Sequence, residues 1–235
     1  MKMIDIHCHI LPKVDDGPDS VEESMEILKE MQRQGVICVI VTPHYRVEMF
    51  EPSMKRVLYS YKYMREAARE IGITLRLGCE YYRNENILEN LDNRRRPTMA
   101  GSDYVLVEFS TNDMFATIRN YIYELVTHGY KPIVAHAERY FCCQKLENLQ
   151  ELKELGAFIQ VNAGSVLGEA GWKVKKFCLA LMKNDVVDFI ASDTHNTDDR
   201  KPNLEKCASY VARKMGKQYA KRIFCDNPLN ILKNR

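Results

Sequence analysis

The chain has 235 residues, of which 46% are hydrophobic and 28% are charged. This composition can supply a sizeable core and a hydrated surface, so we expect one α/β domain over residues 1–235. The 34 basic and 32 acidic residues leave a net charge of +2, which provides no general field for nucleic acid or an anionic membrane. Any anionic substrate must therefore be attracted locally.

The first residues, MKMIDIHCHILPKVDD, form an apolar stretch that histidines and a lysine interrupt within a few positions. Signal peptides and spanning helices lack such interruptions, so we expect a cytoplasmic protein without membrane insertion. The eight cysteines fall inside apolar runs or side by side, without paired CxxC spacing. We therefore expect reduced thiols and no structural zinc site made of cysteine.

Apolar runs and helical patterns alternate along the whole chain. After the strand MIDIHC, Ser20 and Glu23 form a capping-box pattern that begins a helix, and Gly35 ends it. The predicted elements that follow are strand VICVIVT, helix SMKRVLYSYKYMREAAREIG, strand TLRLGCEYY, a helical stretch near Asn84 to Asp92, strand YVLVEFS, helix MFATIRNYIYELVTHG, strand KPIVAHA, helix KLENLQELKELG, strand AFIQVN, a helix ending near Asn184, strand VVDFIAS and helices to the end. Seven aliphatic strands separated by helices predict a parallel sheet covered on both faces.

Most of these strands end in, or are closely followed by, a side chain of the type that binds metals. Periodicity alone leaves an open sheet as an alternative. Side chains from six strand ends can meet in one place only if the ends form a ring, which predicts a barrel with a metal cluster at its mouth. The nine candidate ligands are His7, His9, Asp16, His44, Glu80, Glu108, His136, Asp193 and His195.

Nine nitrogen and oxygen ligands are too many for one ion and suit two or three ions that share a carboxylate. Each part of the pattern also has an ordinary interpretation. An isolated HxH pair such as His7 and His9 is weak evidence for a metal, and Asp15 and Asp16 resemble turn formers. Glu80 and Glu108 would be costly as lone buried charges. They could instead form ion pairs with arginines, for which the candidates are Arg83, Arg139 and Arg200.

Arg139 and Arg200 closely follow two ligand strands. Beside a cationic cluster, arginines favour an intervening anion, which indicates a phosphate-bearing substrate. His128 precedes a glycine at a helix end, where we expect a structural role. The sequence contains no Cx5R loop, GxSxG elbow or GxxxxGK[ST] loop. Metal-activated water attacking a phosphorus or carbonyl centre is then the chemistry that fits best.

The segments IDIHCHILPKVDDGP, TPHY, GCEYY, VEFS, AHAERY, QVNAGSVLG and IASDTHN resemble those of the polymerase-and-histidinol-phosphatase (PHP) superfamily. More narrowly, the chain is similar to bacterial protein-tyrosine phosphatases that oppose the tyrosine autokinases of capsule and exopolysaccharide synthesis. The similarity spans nearly the whole chain, through FCDNPLNIL. It implies an α/β fold, a distorted seven-stranded (β/α) barrel of PHP type. The implied substrate is the phosphotyrosine-containing C-terminal tail of a tyrosine autokinase.

The resemblance also implies a centre of three divalent metal ions, manganese first and iron or zinc as alternatives. Every ligand position of the family pattern is occupied in this sequence, and Arg139 and Arg200 match the arginines at the phosphate. The implied groups are His7, His9, Glu80 and Asp193 for the first ion, Glu80, Glu108 and His136 for the second, and Asp16, His44 and His195 for the third.

The segment TPHYRVEMF departs from a more basic TSHRR-like segment of relatives, so no substrate contacts are carried over to Tyr45 and Arg46. Two other functions stay open at this point. Histidinol-phosphate phosphatase, or another small-molecule phosphomonoesterase of the superfamily, would share the metal ligands. A binding module without activity would keep only the fold, although the complete ligand set argues against it. The sequence gives no indication of oligomeric state.

Overall fold

The computed structural model of this protein describes residues 1–234, and Arg235, the last residue of the expected domain, lies outside them. Nine strands are present in the described part: β1 (Met3–Cys8), β2 (Val36–Val41), β3 (His44–Tyr45), β4 (Thr74–Leu77), β5 (Glu80–Tyr82), β6 (Tyr104–Glu108), β7 (Lys131–Val134), β8 (Phe158–Asn162) and β9 (Phe189–Ala191). The α-helices are α1 (Val21–Arg33), α2 (Met54–Glu70), α3 (Ile87–Asp92), α4 (Phe115–Thr127), α5 (Leu146–Glu154), α6 (Ala163–Leu167), α7 (Trp172–Lys183), α8 (Leu204–Met215), α9 (Lys217–Lys221) and α10 (Asn227–Lys233).

The predicted helix boundaries have local causes that the structure makes visible. The Ser20 side chain accepts a hydrogen bond from the backbone N–H of Glu23 at 3.1 Å, which satisfies one free donor at the start of α1. Gly35 follows the end of α1 with a φ of +88°, a conformation that favours glycine. The predicted start and end of this helix are therefore confirmed.

All neighbouring strands are parallel, and they form two hydrogen-bonded sheets. The first sheet has the order β1-β2-β4, and the second has the order β3-β5-β6-β7-β8-β9. The far edge of the second sheet returns to the first, because Cys8 bridges Thr194 in parallel and the N–H of Asp193 donates to the carbonyl of His7 at 3.0 Å. The strands thus curl so that their carboxyl ends approach one another.

The predicted parallel α/β architecture is confirmed, whereas the count of seven barrel strands is not. Two of the predicted strands are each interrupted, and the part after the interruption belongs to the other sheet. The chain leaves β2 at Thr42 and Pro43 before it forms β3, and it leaves β4 at Gly78 and Cys79 before it forms β5. Pro43 has no N–H to contribute to a ladder, which is one physical reason for the break.

Alternate residues of the strands divide the apolar core into two clusters. In β6, Leu106 belongs to a small cluster between the two sheets, while Val105 and Val107 belong to the large cluster under the helices. In β2, Ile40 and Val39 divide in the same way. This period-two alternation is that of strands buried on both faces. The small cluster, called the inner core below, closes the interior beneath the carboxyl ends of the strands.

No helix within residues 1–234 combines the length and the apolar composition that a membrane crossing requires.

The inner core can be tested at Leu106, which has no exposed surface. We expect Leu106→Ala to lower the free energy of unfolding by about 3 to 5 kcal/mol, because the surrounding strands cannot collapse into the cavity. Urea denaturation measures this change. Leu229→Ala is the matched control, because Leu229 is 37% exposed, and we expect it to cost less than about 1 kcal/mol. Equal losses in the two variants would contradict an enclosed inner core.

Candidate metal centre

The structure brings all nine predicted ligands together at the carboxyl ends of the strands. His7 lies on β1, His44 on β3, and Glu80 at the start of β5. The remaining ligands end a strand or lie in the loop that follows one: His9, Asp16, Glu108, His136, Asp193 and His195. Because parallel strands deliver their carboxyl ends to the same rim, residues distant in sequence meet there.

The first group of donors surrounds one carboxylate oxygen of Glu80. The Nε2 atoms of His7 and His9 lie 3.1 and 3.2 Å from Glu80 Oε2, and they are 3.1 Å from each other. Asp193 completes this group, because its Oδ1 lies 3.4 Å from His7 Nε2 and 3.7 Å from His9 Nε2. These are the four residues that the resemblance implies for the first ion.

A second group shares Glu80 and adds the carboxylate of Glu108. His136 Nε2 lies 3.0 Å from Glu80 Oε1 and 3.7 Å from Glu108 Oε1. His44 approaches the same carboxylates from the other side, with its Nδ1 at 3.0 Å from Glu80 Oε2 and 3.8 Å from Glu108 Oε2. Glu80 therefore lies between two groups of donors, as a bridging carboxylate would.

The third group contains His9, Asp16, His44 and His195, whose donor atoms lie within 4.8 Å of one another. Asp16 Oδ1 is 3.4 Å from His44 Nε2 and 3.3 Å from His195 Nε2. His44 thus contacts two groups, one through each ring nitrogen. Because a neutral imidazole has one lone pair, His44 can serve only one of them at a time.

Outer hydrogen bonds orient the imidazoles so that Nε2 faces the cluster. His7 Nδ1 lies 3.2 Å from Gln160 Oε1, and His9 Nδ1 lies 2.9 Å from Asp15 Oδ2. A carboxylate or amide oxygen accepts an N–H, so Nδ1 carries the proton in both rings and leaves the Nε2 lone pair for a metal. His195 Nδ1 is held in the same way by the backbone carbonyl of Asp193 at 2.9 Å.

Gln160 and Asn162 connect ligands that lie far apart in the sequence. Gln160 Oε1 also accepts the backbone N–H of His136 at 2.8 Å, and Gln160 Nε2 donates to Asn162 Oδ1 at 2.8 Å. Asn162 Nδ2 then donates to Asp193 Oδ2 at 2.7 Å. One chain of amides thus fixes the orientation of His7, His136 and Asp193. Neither amide is among the predicted site residues, although a glutamine inside the apolar strand AFIQVN is a signal for one of them.

Two ligands have backbone conformations that side chains rarely adopt. His136 has a φ of +33° and Asp193 a φ of +54°. Each such residue costs on the order of 1 kcal/mol or more and persists only where its surroundings hold it. The hydrogen bond from the His136 N–H to Gln160 and the one from the Asp193 N–H to the His7 carbonyl provide this support.

Burial and opposite charges perturb the pKa values of the cluster in both directions. Burial alone would lower the pKa of His7, but Glu80 and Asp193 outweigh it and raise the value to about 9. Burial and the adjacent Glu80 raise the pKa of Glu108 to about 7. Burial and the charge of Arg139 lower the pKa of His136 to about 4. The pKa of Glu80 stays well below its usual range despite burial, because His7 and His44 face it.

Three buried atoms of the cluster have no hydrogen-bond partner: Glu80 Oε2, His44 Nδ1 and His195 Nε2. Each of these atoms lies close to a metal-binding atom of another side chain, but none of these contacts has hydrogen-bond geometry. Buried polar atoms without partners are costly, and divalent cations would accept lone pairs from Glu80 Oε2 and His195 Nε2, and one from His44 through the ring nitrogen that carries no proton. The donor set of imidazoles and carboxylates also suits divalent ions. The residues present therefore fit a multinuclear metal site.

The two predicted arginines flank the same carboxylate. Arg139 Nη2 lies 3.2 Å from Asp193 Oδ2, and Arg200 Nη2 lies 3.0 Å from Asp193 Oδ1. Both arginines line a cavity of about 300 Å³ that opens onto the cluster. Arg83 instead pairs with Asp113 at 3.2 Å. The carboxylates of Glu80 and Glu108 thus face imidazoles, and their alternative interpretation as partners of arginine is wrong within the described residues.

His128 lies outside the cluster, as predicted. Its side chain is exposed at the end of α4, and its Nδ1 lies 2.8 Å from the Glu124 carbonyl. No two of the eight cysteines form a disulfide within the described residues.

Relatives of known class match nearly the whole chain. It is 36% identical over 238 residues to tyrosine-protein phosphatase CpsB of Streptococcus pneumoniae, covering 98% of each chain. It is 30% identical over 219 residues to tyrosine-protein phosphatase YwqE of Bacillus subtilis (strain 168), covering 92% of this chain and 86% of the relative.

Solved structures support the same relationship. The first structure comes from a pair, YwqE from Bacillus subtilis and CpsB from Streptococcus pneumoniae, described as unique metal-dependent tyrosine phosphatases. It superposes on this chain with a TM-score of 0.91 at 28% sequence identity, and the superposition covers 99% of this chain and 95% of that one. Histidinol phosphate phosphatase from Lactococcus lactis shares the fold alone, with a TM-score of 0.62 at 15% identity over 93% and 94% of the two chains.

The sequence model of the family "Capsular polysaccharide synthesis, CpsB/CapC" matches residues 3–233. Since this match spans nearly every described residue and the relatives agree with it, the chain belongs to the CpsB/CapC family.

Proposed function

We propose that this protein is a metal-dependent protein-tyrosine phosphatase that acts in the regulation of capsular polysaccharide synthesis. The observation that carries the proposal is the buried cluster of imidazoles and carboxylates whose unpartnered atoms face one another, with two arginines beside it. Membership of the CpsB/CapC family supports this activity, because relatives at 30% and 36% identity are tyrosine-protein phosphatases by name.

We infer that the cluster holds three divalent ions. His7, His9, Glu80 and Asp193 would bind the first, and Glu80, Glu108 and His136 the second. Asp16, His44 and His195 would bind the third. The single lone pair of His44 favours this division, because His136 already completes the second group through contacts of 3.0 and 3.7 Å to its carboxylates. Manganese is the first candidate, with iron or zinc as alternatives, since mixed nitrogen and oxygen ligands suit several divalent ions.

The bound ions would supply an activated water nucleophile and positive charge for the phosphoryl oxygens. The chain itself supplies orientation and further charge. Arg139 and Arg200 hold Asp193 between them and present their remaining N–H groups to the cavity, where they would bind two phosphoryl oxygens. Hydrolysis breaks the bond between phosphorus and the tyrosine oxygen. The leaving phenolate has a pKa of about 10, so it needs less protonation than an alkoxide.

We further propose that the substrate is the phosphotyrosine-containing C-terminal tail of a tyrosine autokinase, and that the reaction takes place in the cytoplasm.

Residues 1–235 would form one domain, in keeping with two sheets that share the inner core. If β2 with β3 and β4 with β5 each count as one interrupted strand, nine strands reduce to seven positions, which is the proposed PHP-type barrel.

The competing functions have less support. A histidinol-phosphate phosphatase would share the metal ligands, but the likeness to that enzyme extends to the fold alone. A binding module without activity would not need nine metal-binding side chains in one place, three of which have a buried atom without a hydrogen-bond partner.

The first prediction concerns the metals. We expect a chelator to abolish hydrolysis of a phosphotyrosine peptide and manganese to restore it. The reason is that the bound ions would activate the attacking water at neutral pH. His136→Ala should lose metal, measured by elemental analysis, and at least about 100-fold in kcat/KM. His128→Ala is the matched control and should keep both. Full turnover by protein shown to be free of metal would contradict the proposal.

The second prediction concerns Gln160, which supports two ligands at once. We expect Gln160→Leu to weaken metal binding or activity by about 10- to 100-fold, because His7 Nδ1 and the His136 N–H lose their acceptor. Titration of the apoprotein with manganese measures the affinity. Gln218→Leu, on the exposed surface of α9, should match the wild type. If Gln160→Leu bound manganese and hydrolysed the phosphotyrosine peptide as the wild type does, the inferred orienting role would be wrong.

The third prediction concerns Arg139. We expect Arg139→Ala to lower kcat/KM for phosphotyrosine peptide by about 100- to 1,000-fold, because a preorganised donor to the phosphoryl group is lost. Its metal content should stay close to that of the wild type, since Arg200 still pairs with Asp193. Arg65→Ala, at an exposed pair with Glu66, is the control. A loss of metal equal to the loss of activity would instead make Arg139 a structural support.

A further inference from the structure

The cavity in front of the metal centre has polar walls on most sides and one apolar wall. Ten residues line it, and among them only Met49 and Phe50 are apolar. A phosphoryl group held by Arg139 and Arg200 would leave the rest of its ester inside this cavity of about 300 Å³. Among the described residues that line this cavity, Met49 and Phe50 are therefore the ones that offer apolar surface to the leaving group.

Both residues belong to a tight turn, Arg46–Phe50, that closes on itself. The Arg46 N–H donates to the Phe50 carbonyl at 2.9 Å, and the Phe50 N–H donates back to the Arg46 carbonyl at 2.8 Å. The Arg46 guanidinium lies 4.1 Å from the centroid of the Tyr82 ring, which ties the turn to β5. The backbone of the apolar wall is thus built in advance, so binding against it does not require the turn to be ordered.

The two apolar residues have different surroundings. The Phe50 ring stacks on the His44 ring, with centroids 5.3 Å apart and planes inclined by 15°, so one of its faces is already covered. Met49 is 58% exposed at the edge of the cavity. Covering its side chain would remove apolar surface from water, and a thioether makes favourable contacts with aromatic rings. Met49 is therefore the part of the wall that is free to contact a ligand.

We propose that Met49, backed by Phe50, is a subsite for the aromatic ring of the substrate and selects aryl and arylmethyl phosphate esters over alkyl ones. This inference rests on the proposed phosphatase function and deepens it, because the metals and arginines recognise only the phosphoryl group that all phosphomonoesters share. Ring recognition at this subsite would make the enzyme prefer phosphotyrosine over phosphoserine, beyond the advantage of the phenolate leaving group.

The experiment must separate ring binding from leaving-group chemistry. Benzyl phosphate and butyl phosphate both release a primary alcohol, and only the first carries an aromatic ring. We expect the manganese-loaded wild type to prefer benzyl phosphate. Met49→Ala should lower kcat/KM for benzyl phosphate by about 5- to 10-fold and lower the value for butyl phosphate by a clearly smaller factor, because the alkyl chain makes no contact between sulfur and ring.

Two further variants control for size and for exposed methionine in general. Met49→Leu keeps an apolar side chain and should retain most of the preference for benzyl phosphate. Met114→Ala should retain all of it, because Met114 is 72% exposed before α4 and does not line the cavity. An equal loss on both substrates in Met49→Ala, or an unchanged ratio between them, overturns the proposal.

A binding measurement gives a second readout that does not depend on turnover. Calorimetry on the metal-loaded protein compares phenylphosphonate with methylphosphonate, neither of which is a hydrolysable ester. We expect Met49→Ala to weaken only phenylphosphonate. If no variant hydrolysed any phosphomonoester, the proposed function would fail, and the phosphonates would still decide the ring subsite. Equal affinity of the wild type for both phosphonates would overturn it.

Discussion

The structure depends on one carboxylate, that of Glu80, buried among imidazoles. Its two oxygens approach His7, His9, His44 and His136, yet one of them has no hydrogen-bond partner. Taking an isolated charge out of water costs several kcal/mol, and protonated imidazoles could offset part of that. Each such proton, however, occupies a lone pair that is aimed at the cluster. Divalent ions remove this conflict because they neutralise the carboxylates and use the lone pairs together, so the arrangement makes physical sense as a metal centre.

The rest of the fold positions these donors with little freedom. Parallel strands bring their carboxyl ends to one rim, and the inner core, with Ile40 and Leu106 in it, fills the space below them. The breaks after β2 and β4 let His44 and Glu80 stand in register on the second sheet, where they are paired partners of a parallel ladder. The positive φ angles of His136 and Asp193 then turn two further ligands inward. Apolar packing thus sets the scaffold, and local strain at the strand ends completes the site.

Much of this could be predicted from the sequence, because buried strands that end in ligand-type side chains leave a strong pattern. The apolar runs that carry His44 and Glu80 were correctly predicted as strands. Their interruption at Pro43 and Gly78 was not, since periodicity records burial and not the strand to which a ladder bonds. The sequence indicates only a turn former at Asp15, because the contacts of its side chain to His9 and to the N–H of His44 depend on how distant segments meet. Gln160 was missed for the same reason, because its role exists only once β7 and β8 lie side by side.

Different side chains around the cavity would contact the phosphoryl group and the leaving group, which indicates where substrate selectivity can arise. Arginines and metals recognise charge on a phosphoryl group, and that recognition is nearly independent of the alcohol attached to it. The backbone of the turn Arg46–Phe50 hydrogen-bonds mainly to itself, so an exposed side chain such as that of Met49 can change without moving the ligands on the strand ends. Loops of this kind, carried by a rigid scaffold, are where binding specificity commonly lies.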